Sequence, residues 1–236
     1  MNILAIGNSF SQDATRYLED IARASGEKLS VASLYIGGCS LEKHFRNFYA
    51  DNKTYELIWN GSNTGFFVTI KEALLSRAWD VVTLQQQSLQ SADFETFEPY
   101  LSYLCKEIRT LCPKSKIYMY ETWGYANATP KLETTKYSNH TEMYLDIKKS
   151  YKQASERIDA DGIIPCGELI NRLHAEKGLT VHRDGFHLSY GLGRYAAGLV
   201  WFKTLFGKMP SQISADRLDA EVSLQELDTL WKELEK

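Results

Sequence analysis

Several signals that would settle a protein's class at a glance are missing from these 236 residues. The four cysteines, Cys39, Cys105, Cys112 and Cys166, form no C-x-x-C pair and no Cys/His set at metal-ligand spacing, so no metal site is expected. Cys105 and Cys112 fall on the apolar stripe of one predicted helix and read as buried free thiols. No basic cluster stands out and the net charge is −3, so nothing electrostatic calls for a nucleic-acid partner. No apolar run approaches membrane-spanning length. No charged segment precedes a short apolar one, which makes the cytoplasm the default expectation, although a trimmed signal peptide would leave the same text. Four N-x-[ST] triplets, at Asn52, Asn60, Asn127 and Asn139, carry little weight without such a signal. There is no internal repeat, heptad array or low-complexity stretch.

The residues that are present describe one domain spanning 1–236. A hydrophobic share of 44% supplies a core and a charged share of 24% supplies a wet surface. The 14 tyrosines are compatible with a sugar-stacking surface, with packing in an α/β core as the commoner explanation.

Apolar runs alternate with helical stripes along the chain. Asn2 to Ile6, Ser30 to Ile36, Val81 to Leu84, Ile117 to Tyr120 and Ile163 to Pro165 read as buried strands. A helix is expected from about Ser11, as N-cap, to Gly26, and the clearest one from Asp93 to Cys112, stopped by Pro113. Residues 41–65 read as a short helix near His44 and Phe45, then an irregular stretch or hairpin. Tyr125 to Asn139 is polar, aperiodic and long for a connection, which is typical of a functional loop. A C-terminal helix opens on the capping box Ser223 and Glu226. This alternation predicts a three-layer α/β/α, flavodoxin-like fold around a parallel sheet of about five strands.

In such a sheet a ligand sits at the carboxyl ends of the strands. Those ends are Gly7 to Ser11, Gly37 to Ser40, Gln85 to Ser88 and Glu121 to Gly124, and every polar or glycine-rich cluster of interest falls there. Taken alone, the Gly7-Asn8-Ser9-Phe10-Ser11 turn suits either a nucleophile or a phosphate cradle, since a helix start favours an anion. No P-loop or G-x-G-x-x-G accompanies it. A nucleophilic serine needs a base and the base needs an orienting group. Asp184-Gly185-Phe186-His187 offers both within one turn, the Asp three residues ahead of the His. His182 is a rival base without a carboxylate at that spacing, and His44, His140 and His174 read as surface or packing residues. Glu121 and Trp123 stand at the same edge and are read as substrate contacts, with core packing of Trp123 as the alternative.

Together the two motifs resemble the SGNH (GDSL-type) hydrolase superfamily. Gly7-Asn8-Ser9-Phe10-Ser11 looks like its first block, with Asn8 where Asp and Phe10 where Leu are usual. Asp184-Gly185-Phe186-His187 matches its last block, Asp-x-x-His. Gly38 looks like the second-block glycine, whose N–H belongs to the oxyanion hole. The third block departs: Gln85-Gln86-Gln87-Ser88 stands where Gly-x-Asn-Asp is usual, and Gln87 replaces the asparagine. A divergent branch of the superfamily shares the Gly-Asn-Ser-Phe start and the glutamine-rich third block.

The resemblance implies a serine esterase acting on O-acyl groups, acetyl above all, of a carbohydrate or small-molecule ester. Ser9 would be nucleophile, His187 base and Asp184 orienting acid. The N–H groups of Ser9 and Gly38, with Gln87 or Gln86, would form the oxyanion hole. No cofactor, metal, nucleic acid or membrane enters this expectation. Two other readings remain at this point: a flavodoxin-like module binding phosphate or nucleotide, and a carbohydrate-binding pseudoenzyme lacking the third oxyanion donor.

Overall fold

The computed structural model describes all 236 residues. The strands are β1 (Asn2–Gly7), β2 (Ser30–Tyr35), β3 (Tyr55–Trp59), β4 (Ser62–Val68), β5 (Val81–Leu84), β6 (Lys116–Glu121) and β7 (Gly162–Pro165). They form one sheet in the order β4-β3-β2-β1-β5-β6-β7. The five strands from β2 to β7 in that order are parallel, as expected, and the β3–β4 hairpin adds two antiparallel strands at one edge. The sheet therefore has seven strands rather than five. The extra pair comes from the stretch left open as irregular or hairpin, where Asn60-Gly61 makes the turn, both with positive φ.

Ten helices cover the sheet: α1 (Ser9–Thr15), α2 (Leu18–Ala24), α3 (Leu41–Ala50), α4 (Ile70–Leu75), α5 (Tyr100–Leu111), α6 (Pro130–Glu133), α7 (His140–Arg157), α8 (Cys166–Asn171), α9 (Leu192–Phe206) and α10 (Leu224–Glu235). One layer gathers α1, α2, α8 and α10 around α9, and the other gathers α3 and α4 against α5. The α9 helix is apolar nearly all round, from Leu192 to Phe202, because neighbours enclose it on every side. The central strands are buried on both faces, which is why β1 and β5 read as unbroken apolar runs.

Three boundaries differ from the sequence expectation. The first helix starts at Ser9, with Asn8 rather than Ser11 as N-cap: Phe10 N–H donates to Asn8 Oδ1 (3.0 Å). Ser11 is instead buried, its hydroxyl donating to Gln85 Oε1. The chain between Ser11 and Gly26 breaks at Arg16 and Tyr17 into two helices. The Asp93–Cys112 helix also starts later, at Tyr100. Pro99 has no N–H to give an intrahelical bond, and a single 3-10 turn (Phe94–Thr96) precedes it.

β1 lies between β2 and β5, so the chain leaves β1 toward one side of the sheet and returns later on the other. This is the topological switch point of an open α/β sheet, and the crevice beyond its strand ends is the natural ligand site.

Candidate active site

The loops after β1, β2 and β5 meet at that crevice with the loop before α9. They wall a cavity of about 300 Å3. Ser9, Gly38, Gln87 and His187 all face it.

Ser9 sits at the first residue of α1, where helix geometry leaves its N–H without an intrahelical acceptor. Its Oγ lies 2.9 Å from His187 Nε2, although the two residues are 178 positions apart. His187 Nδ1 lies 2.7 Å from Asp184 Oδ2. An ionised carboxylate only accepts, so Nδ1 carries the proton and Nε2 is left to accept from the serine hydroxyl. The other Asp184 oxygen accepts from the backbone N–H of His187 (2.8 Å) and of Phe186 (3.3 Å). Desolvation pushes the Asp184 carboxyl up, but these bonds together with the imidazole hold it below the usual carboxylate range. The carboxylate thus fixes both the ring tautomer and the turn that carries the ring.

The histidine loop is anchored from beneath. Asp13 of α1 is wholly buried, and its carboxylate accepts from Arg183 Nη1 (2.9 and 3.0 Å), Arg194 Nε (2.8 Å) and Leu188 N–H (3.0 Å). That cluster ties the serine helix to both ends of the loop. Trp123 stacks on Phe10 at 4.3 Å between ring centroids and donates from Nε1 to Phe186 O (2.7 Å).

Of the oxyanion candidates, Gly38 has φ +60, a left-handed conformation that glycine adopts without strain. Its N–H donates to no group of the protein. Gln87 uses Oε1 to accept from Leu89 N–H (3.1 Å), which leaves its Nε2 amide without a partner at the cavity wall. Gln86 is different. It is wholly buried, with Oε1 accepting from Leu41 and Gln87 N–H (2.9 Å each) and Nε2 donating to Thr96 O (2.8 Å). Its amide is consumed in bracing three segments, so Gln86 is removed from the oxyanion set. Gln85 braces the first turn, donating from Nε2 to Asn8 Oδ1 (2.9 Å), and Asn8 Nδ2 donates to Cys39 O (3.1 Å).

Glu121 and Trp123 are corrected as substrate contacts. Both are buried and neither lines the cavity. Trp123 packs under the histidine loop. The Glu121 carboxyl lies in the electrostatic reach of Lys148 and Glu168, and burial pushes it up to about 8. His182 is likewise no rival base. It is buried beside the buried His140 and the half-buried His174, the three ring centroids 4.9 to 5.6 Å apart. His44 is buried as well, its Nδ1 2.8 Å from the Tyr55 hydroxyl. All four cysteines are free and buried.

The structure adds cavity residues to which the sequence assigned no role of their own: Tyr35, Ser88, Tyr125, Phe186 and Lys131. Tyr125 and Lys131 belong to the 125–139 segment, whose length and polarity were the available signal. Nothing local distinguishes them within it. No group of His, Cys, Asp and Glu side chains is arranged to hold a metal ion.

Comparisons with known proteins agree with this architecture. A family model described as "Domain of unknown function (DUF4886)" matches residues 2–221. A DUF4886 family protein from Bacteroides uniformis ATCC 8492 is 29% identical, with a TM-score of 0.90 over 99% of this chain and 93% of that one. A candidate SGNH hydrolase from Slackia heliotrinireducens shares the fold at 23% identity and a TM-score of 0.61, over 87% of this chain and 98% of its own. A candidate GDSL-like lipase from Parabacteroides merdae ATCC 43184 does so at 16% identity and 0.58, over 88% and 96%. No curated protein matches the sequence. The three-layer fold is thus the one found in SGNH-type neighbours, and the chain itself belongs to the DUF4886 family.

Proposed function

We propose that this protein is a serine esterase that removes short acyl groups, acetyl above all, from carbohydrates. The observation that carries the reading is the continuous relay Ser9 Oγ–His187 Nε2–Asp184, at 2.9 and 2.7 Å, opening onto a cavity with unpaired N–H donors. Ser9 Oγ attacks the ester carbonyl and gives its proton to His187 Nε2, while Asp184 stabilises the imidazolium. The carbonyl oxygen, now negative, is held by the N–H groups of Ser9 and Gly38 and by Gln87 Nε2. Collapse expels the alcohol, which takes the proton from Nε2. Water, deprotonated by the same nitrogen, then releases the acid and frees Ser9. The chemistry calls for no cofactor.

A volume near 300 Å3 lies at the small end for ligand sites and fits a short acyl chain with one sugar ring. Tyr35, Tyr125 and Phe186 offer aromatic faces to such a ring. A phosphate-binding reading leaves Asp184 and His187 without a task. The test is hydrolysis of 4-nitrophenyl acetate with fluorophosphonate labelling: both occur in the wild type and vanish in Ser9→Ala. Full activity in Ser9→Ala would overturn the mechanism, and an unlabelled, inactive wild type would make the chain a binding protein on a hydrolase fold.

A further inference from the structure

Lys131 takes no part in ester cleavage as such, yet it lines the cavity. Apart from the His187 ring, it is the only ionisable cation among the residues lining the cavity, and no carboxylate lines it. Its ammonium makes no ion pair with any acid of the protein. It rests instead over the face of Phe186, 4.6 Å from the ring centroid. A cation–π contact of this kind gives an ammonium only part of what an anion would. The backbone that carries it is also held in place. Thr129 caps α6 by accepting from Leu132 N–H (3.4 Å) and donates to Ala126 O (2.8 Å), Leu132 is buried, and Ala126 N–H donates to Gly185 O (2.7 Å). The 126–132 segment is therefore fastened to the histidine loop and presents its lysine to the site.

The side of the cavity on which this charge stands follows from the reaction. His187 must hand its proton to the departing alcohol, so the alcohol lies on the His187 side of Ser9, while the carbonyl oxygen turns toward Gly38 and Gln87. Phe186 abuts His187, with ring centroids 3.9 Å apart, and Lys131 lies on Phe186. The cation thus stands on the Phe186–His187 side of the cavity, the side on which the alcohol leaves. We infer that the alcohol carries a carboxylate: the substrate is an O-acylated acidic sugar, a uronic acid being the simplest, whose carboxylate pairs with Lys131. The inference rests on the esterase reading for the placement of the alcohol, and on the cavity's charge for the rest.

Calorimetric titration separates the two. Methyl glucuronoside and methyl glucoside, which differ by a carboxylate, are titrated into wild type, Lys131→Met and Lys131→Arg. A charge-assisted hydrogen bond predicts that wild type binds the uronoside about 10- to 100-fold more tightly. That preference should vanish in Lys131→Met, survive in Lys131→Arg and shrink at high salt. Equal binding of the two sugars by wild type, or an unchanged preference in Lys131→Met, overturns the assignment whether or not the protein turns over. A Lys131-dependent preference for 4-nitrophenyl hemisuccinate over 4-nitrophenyl butyrate would put the charge on the acyl side and overturn it too. Failure of the esterase reading shows separately, as absent 4-nitrophenyl acetate hydrolysis and absent labelling.

Discussion

Replacing Glu121 with Gln isolates a buried carboxyl whose effect on stability has a definite sign. Glu121 is 2% exposed, its Oε1 has no hydrogen-bond partner, and burial raises it from 4.5 to about 8. Lys148 opposes that rise and Glu168 adds to it. The folded protein therefore keeps a proton on Glu121 between pH 4.5 and 8 that the unfolded chain gives up. By linkage, wild-type stability falls as pH rises through this window, by about 3 kcal/mol at pH 7 relative to pH 4.5. Gln has the shape of the neutral acid and does not titrate. Glu121→Gln and wild type should melt together near pH 4.5 and part as pH rises. At this chain length the gap should reach roughly 6–12 °C in favour of the variant at pH 7. Thermal melts of both proteins from pH 4.5 to 8 measure it. Curves that run parallel would show that Glu121 ionises in the folded protein and that the burial argument fails.

Further outcomes follow from the site. Asp13→Asn leaves Arg183 and Arg194 without their buried counter-charge and should cost about 3–5 kcal/mol of stability, seen as a lowered urea midpoint. A loss under 1 kcal/mol would mean the cluster is no strut. Gln87→Ala should lower kcat on 4-nitrophenyl acetate about 100-fold with little change in KM, the mark of a donor used only in the transition state. Gln86→Ala should lower the melting temperature instead, and a reversed pattern would exchange their roles. Burial pushes His140 down to about 4 and holds His174 and His182 below the ordinary range as well. Their unfolded forms bind protons first, so the stability they contribute is full above about pH 7 and declines as pH falls from 6.5 toward 4. His140→Gln should flatten the acid limb of the melting curve, and an unaltered limb would refute it.

The side chains proposed to react were legible because their signals are short. A strand, a small turn and a helix start put Ser9 at the sheet's edge, and three residues of spacing joined Asp184 to His187. Strand–helix alternation likewise conveyed the five parallel strands. What the text hid depends on direction or distance. Glu121 and Trp123 do end their strand at the right edge, but position along a strand does not say where a side chain points, and both turn into the core. The Asp13 cluster joins residues 170 and 181 positions apart, and no local pattern marks such a pairing. Three consecutive glutamines look equivalent as letters. Only their surroundings separate them: the side chains of Asn8 and Ser11 consume Gln85, backbone groups of Leu41, Gln87 and Thr96 consume Gln86, and Gln87 keeps an idle amide.

The separation of Ser9 from His187 also bears on how the molecule comes into being. A ribosome makes the serine 178 residues before its histidine, so the hydroxyl passes through that stretch of elongation without this partner. A serine in that condition is a poor nucleophile. β1, made before any partner strand, must wait for β2 and β5 to enclose it. Joining residues so far apart costs chain entropy that grows slowly with separation, and the β1–β5 and α1–α9 contacts offset it at the same time as they bring the relay together. On the proposed mechanism, reactivity arrives with the completed fold, and a nascent chain carries Ser9 in an inert form.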